Sequence, residues 1–138
     1  MNPSMHQVSI PAILAAAVAV MVLGGVWFAW LFARPYAVVL GRADEPRTAM
    51  SPLYFVGPSL CMLVTTMGCA ILMAELGVSS LFEAVRFGAM VGICFLATTA
   101  INMAINPNIP RPIMYGVLSA GYFLVSSVII SITLFLLS

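Results

Sequence analysis

This chain offers few residue types that could do chemistry. The thiols are Cys61, Cys69 and Cys94, the only histidine is His6, and the acids are Asp44, Glu45, Glu75 and Glu83. No cysteines form a Cys-x-x-Cys pair, and none has a neighbouring histidine. Zinc and haem therefore find no ligand set, and no metal or other cofactor is expected. Isolated thiols in apolar surroundings read as small packing residues. Ser126, Ser127 and Ser131 have no His or Lys in their segment to activate them as nucleophiles. They suit hydrogen bonds to carbonyls of their own helix or of a neighbour. No glycine-rich phosphate loop is present. No catalytic residue is assigned, and the balance is against an enzyme.

The elements that would hold these residues follow from composition. The chain is 63% hydrophobic and 7% charged, against roughly 25% charged in ordinary soluble domains. Four apolar segments, at about 8–32, 52–76, 82–105 and 112–137, each reach the roughly 20 residues that cross a bilayer core. The expected fold is all-α, an integral membrane bundle of four transmembrane helices forming a single membrane domain over residues 1–138. The lipid bilayer is then the first partner. A net charge of +1, with all five basic residues arginine, makes no basic patch for nucleic acid. The first apolar run is too long for a signal peptide and follows no Lys or Arg, so it reads as a retained helix.

Orientation comes from the arginines. Arg34, Arg42 and Arg47 fall in the first loop and Arg111 in the third, while Arg86 alone lies toward the other side. The positive-inside bias puts loops one and three in the cytoplasm and both termini outside the cell inner membrane. Trp27, Trp30, Phe32 and Tyr36 then mark the cytoplasmic edge of span one, and Tyr54 and Tyr115 open spans two and four there. Arg34 is placed to snorkel. "PYAVVL" reads as a surface stretch released at Gly41. Ser51 and Pro52 form a helix start, and Pro58 a kink within span two. "LGVSS" reads as the turn of a tight hairpin, and "NPNIPRP" as the stop between spans three and four.

At about 100° per residue, the spans show small or polar seams. Ala84, Gly88, Gly92, Phe95, Thr99 and Asn102 share one face of span three, with Met90, Ile93, Ala97 and Ile101 opposite. Gly116, Ala120, Phe123 and Ser127 share a face of span four, beside Ser119, Tyr122 and Ser126. Gly57, Cys61, Thr65, Gly68, Leu72 and Glu75 align in span two. Span one aligns Ala12, Ala16, Ala19, Leu23, Trp27, Trp30 and Arg34. Small residues let helix backbones approach in lipid, so Gly88, Gly92, Gly116 and Ala120 are expected at helix contacts. Trp27 is expected to fill the space beside Gly57 and Pro58.

The run "AAAVAVMVLGGVWFAWLF" resembles the opening of an uncharacterised bacterial membrane-protein family, domain of unknown function 1761. That family has an Ala-rich helix running into a Gly-x-x-Trp-Tyr motif, with Phe28 here in the place of the tyrosine. The resemblance continues through "LFEAVRFGAMVGICFLATTAINMAI" and "RPIMYGVLSAGYFLV". It implies a four-span bundle, and no known reaction, substrate or cofactor.

Charge inside a membrane is costly enough to mark function. Glu83 and Arg86, three residues apart, are read as an interfacial pair. Glu75 shares the seam of Thr65 and Gly68 and is the acid aimed into the bundle. Thr65, Thr99, Asn102, Ser119 and Tyr122 either line a small polar cavity or hydrogen-bond between helices. With Glu75 they are the solute-binding candidates. Two functions fit: a small, non-enzymatic, oligomeric membrane protein that binds or passes a small solute, or an accessory subunit of a larger membrane complex. The partners would be further copies of itself or other membrane subunits. A membrane enzyme ranks last.

Overall fold

Ser9 starts the first helix. Its hydroxyl accepts the Ala12 amide at 3.3 Å, and Pro11 sits in the first turn, where its missing N–H leaves nothing unpaired. Helix α1 spans Ile10–Val26 and runs into a π-helical turn over Trp27–Leu31, where the Phe32 amide reaches back to the Trp27 carbonyl at 2.9 Å. Pro35 explains the break that follows, because its ring crowds the carbonyl four residues earlier and it has no amide to offer. A short helix, α2 (Ala33–Val39), resumes beyond the break and buries Val39 completely. The "PYAVVL" stretch is therefore helical and anchored at Val39. It ends at Gly41, whose φ of +72° suits glycine.

The computed structural model describes residues 9–41 and 52–138. His6, Arg42, Arg47, Ser51 and the side chain of Tyr54, all used in the sequence reading, lie outside the described residues. Helix α3 (Leu53–Glu75) carries Pro58 in its interior. A turn through Gly77, at φ +67°, leads to Ser80. The Ser80 hydroxyl accepts the Glu83 amide at 3.1 Å and so caps α4 (Leu81–Val91). Glu83 in turn accepts the Ser79 amide at 2.7 Å. Its carboxylate thus closes the helix start, and the Arg86 charge, three residues on, acts on it as well. A second π-helical turn, Gly92–Ala97, joins α4 to α5 (Thr98–Ala104), and α6 (Pro112–Leu137) completes the chain.

Four stretches are long and apolar enough to cross a membrane: Ile10–Leu31, Phe55–Glu75, Leu81–Ala104 and Pro112–Leu137. They fall within a few residues of the four segments read from the sequence, and the regular structure of the described residues is helical throughout. This is the architecture of a multi-pass membrane protein.

Helix α6 is the hub. It packs against α1 on one side and α4–α5 on the other, while α3 leans on α1 and touches α6 less extensively. No extended contact joins α3 to α4, so the expected tight hairpin is only a short connection. At the loop-two end a continuous core forms from Ala12, Ala16, Met73, Val78, Phe87, Ile130 and Leu134. Toward the other end the core gives way to a cavity.

The π-helical turn in the third span resets its face. Ala84, Gly88 and Gly92 are buried at four-residue spacing, as expected. Beyond the turn, the residues against α6 are Ile101 and Ala104, whose Cα and Cβ atoms each lie 3.3 Å from where a Gly116 Cβ would be. Phe95, Thr99 and Asn102, expected on that seam, are exposed instead. One extra residue in a turn rotates everything after it, and a constant 100° step cannot register that. Helix α3 is turned as well. Met62, Thr66, Cys69, Ala70 and Met73 face the bundle, while Cys61, Gly68, Leu72 and Glu75 of the expected seam are exposed.

Candidate functional site

Two aromatic residues clasp α1 to α6. The Trp27 indole Nε1–H donates to the Leu118 carbonyl at 3.2 Å, and the Tyr122 hydroxyl donates to the Val20 carbonyl at 3.0 Å. Each ring lies over a glycine of the opposite helix. A Cβ on Gly121 would sit 3.1 Å from the Trp27 ring, and one on Gly24 would sit 3.1 Å from the Tyr122 hydroxyl oxygen. Glycine at both positions is what lets the rings approach. Trp27 therefore packs on α6 and not beside Gly57, whose Cβ position meets only Leu53 within 4 Å.

Trp27 packs over Gly121, and the next residue, Phe28, also reaches α6, on the side of Tyr122. It contacts Tyr36 at 4.9 Å and Tyr122 at 5.2 Å between ring centroids, and Tyr36 stacks on Tyr115 at 6.2 Å. This aromatic row forms one wall of a cavity of about 560 Å³. Helix α1 adds Met21, Gly24, Gly25 and Ala29, α3 adds Phe55, Pro58, Ser59 and Met62, and α6 adds Ser119 and Phe123. The lining carries no acidic or basic side chain among the described residues. The cavity lies at the end of the bundle where loops one and three meet the helices, between α1, α2, α3 and α6.

Of the solute-binding candidates, Ser119 and Tyr122 line this cavity and the other four do not. Thr65 bonds the Cys61 carbonyl at 2.9 Å, and Thr99 bonds the Phe95 carbonyl, so each hydroxyl is satisfied within its own helix. Asn102 is exposed on α5, and Glu75 is exposed at the C-terminal end of α3. The packing candidates lie at helix contacts. A Gly88 Cβ would overlap Ser131 Oγ and come within 2.8 Å of the Ser127 carbonyl oxygen. Ser127 also donates to the Gly88 carbonyl at 2.8 Å. A Gly92 Cβ would meet Leu124 at 2.9 Å, and Ala120 is buried.

The sequence reading missed Phe28, Tyr36, Tyr115 and Phe55 as cavity residues. Tyr36 and Tyr115 read as an interfacial belt because a tyrosine near the end of a span serves either purpose. The signal that could have found them is the i, i+4, i+7 placement of Tyr115, Ser119 and Tyr122 on one face of α6. By contrast, Trp30 is 75% exposed and fits the outward belt.

The described residues include no group of His, Cys, Asp or Glu able to hold a metal ion. The cysteines are free, with Cys69 buried and Cys61 and Cys94 exposed. No curated protein and no solved structure matches the chain. A family model described as a protein of unknown function, DUF1761, matches residues 11–135 and so reaches into all four membrane-crossing stretches. The chain belongs to this family of uncharacterised proteins.

Proposed function

We propose that this protein is a non-enzymatic membrane bundle that binds a small, neutral solute in the cavity between α1, α3 and α6. The observation that carries the reading is the cavity itself: about 560 Å³, aromatic and uncharged in its lining, with the buried Ser119 on its wall. Ligand sites commonly have this size and this mixture of apolar walls with a few polar groups. Binding is favoured over passage because the core closes the bundle at its loop-two end. The bilayer placement that fits is the inner membrane, with loops one and three in the cytoplasm and both termini outside.

Gly25 provides the test. It lines the cavity, it is exposed, and a Cβ there meets nothing within 4 Å. Gly25→Phe should therefore fill the space without disturbing the helix. Equilibrium dialysis of N-phenyl-1-naphthylamine, a neutral aromatic probe, against purified protein in micelles should show saturable binding above that of empty micelles. The Gly25→Phe variant should lose it. Equal uptake by protein and empty micelles would end this reading.

A second reading, self-association or an accessory role in a larger membrane complex, is favoured by the outward face of α3. There Cys61, Gly68 and Glu75 are exposed along a lipid-facing helix, and small residues on such a face suit helix pairing. A mass in mild detergent equal to one chain would remove self-association.

A further inference from the structure

The cavity's chemistry narrows its occupant, an inference that rests on the solute-binding reading above. The lining holds no charged side chain among the described residues, so an ion would lose its hydration there with nothing to replace it. The guest is neutral. Six lining side chains are aromatic, and edge-to-face and offset ring pairs add to simple apolar burial, which favours a guest that carries rings. The mouth lies between α1 and α3, where the lining residues Gly25, Ala29, Phe55 and Pro58 are exposed. All four belong to the membrane-crossing stretches, while Pro52, also exposed on the lining, lies just beyond them, so the opening gives onto the bilayer at its loop-one edge. The guest enters from the bilayer.

Ser119 supplies the remaining specification. It is only 7% exposed, it lines the cavity, and its hydroxyl has no hydrogen-bond partner among the described residues. Elsewhere in the spans, Ser59, Thr65, Thr66, Thr98 and Thr99 each turn the hydroxyl back to a carbonyl four residues earlier. Ser119 does not. Its oxygen opens onto the cavity rather than being sealed in the packing, as Ser126 Oγ is, so a guest that accepts its proton gains a hydrogen bond in apolar surroundings. The geometry points to a neutral, lipid-soluble aromatic carbonyl compound of the quinone class. Its ring sits among Phe28, Tyr36 and Tyr122, and its carbonyl oxygen accepts from the Ser119 hydroxyl.

The test compares 2-methyl-1,4-naphthoquinone with 2-methylnaphthalene, the same carbon skeleton without carbonyls, on the full chain in lipid nanodiscs. Binding is corrected for partition into protein-free discs. The quinone should bind about tenfold more tightly, the worth of one buried hydrogen bond. Ser119→Ala should remove that preference and leave the hydrocarbon's affinity unchanged, which also shows that the variant is folded. Ser119→Thr, which keeps a hydroxyl, should retain the preference. Equal affinity of the two compounds for the wild type, or a preference that survives Ser119→Ala, would overturn the quinone assignment while the cavity still binds solute. Hexadecane displacing both ring compounds at equal concentration would make the occupant an acyl chain and also overturn it. If neither ring compound binds, the solute-binding reading falls together with this one.

Discussion

The clasp between α1 and α6 rests on two side-chain donors, each bonded to a carbonyl of the opposite helix. In lipid such interhelical bonds average about 0.6 kcal/mol and reach about 1.7 kcal/mol. Tyr122→Phe keeps the ring and removes only the donor, whereas Trp27→Phe removes the donor together with the ring edge that lies over Gly121. Each should lower stability by about 0.5–1.5 kcal/mol, measured by unfolding in mixed detergent micelles. A loss of several kcal/mol from Trp27→Phe alone would mean that ring packing over Gly121, not the hydrogen bond, dominates there. Tyr122→Phe should also leave the cavity's apolar wall in place, so the hydrocarbon probe should still bind. The same residues explain why the site was only half legible in the sequence. Ser119 and Tyr122 stood out as polar groups on an inward face. Glu75 stood out for its charge, and charge alone does not say which way a helix is turned.

At the scale of the element, the two π-helical turns decide which side chains meet. Before the second turn, Gly88 is packed against the α6 backbone; on α3, Gly68 has open space where its Cβ would be. Gly88→Ala should therefore cost about 1–3 kcal/mol through forced separation of α4 from α6. Gly68→Ala should be neutral or stabilise by up to about 1 kcal/mol, since alanine is the better helix former. After the turn, Ile101→Ala should be more damaging than Phe95→Ala, because Ile101 packs over Gly116 and Phe95 is 63% exposed. The same unfolding assay ranks all four. A greater loss at Phe95 would mean that the third span runs as an unbroken α-helix.

Across the whole molecule, the two ends differ. Near loop two the four spans share one core, while near loops one and three α3 stands away and leaves the cavity. If the arginine bias sets orientation, the cavity lies in the cytoplasmic half of the bilayer. Single cysteines at Asn108 and Ser79, both exposed, read this directly once Cys61, Cys69 and Cys94 are replaced. An impermeant thiol reagent added outside intact cells should label position 79 and spare position 108. The reverse pattern would invert the topology and put the cavity in the outer half.

Span number, span boundaries and helical class were determined by the sequence alone, because the cost of exposing polar backbone to lipid ties them to the length and polarity of each segment. The lack of paired thiols, histidines or an activated nucleophile was equally plain from residue types. Helix rotation was decided only by the tertiary structure. It turned Gly68 and Glu75 outward, put Ile101 against Gly116 on the face read for Asn102, and brought Phe28, Tyr36 and Tyr115 together around one space. The physical reason is that apolar side chains line every face of these spans. Hydrophobicity then gives no direction, and the choice falls to close packing at glycines, to the two π-helical turns and to a few interhelical hydrogen bonds.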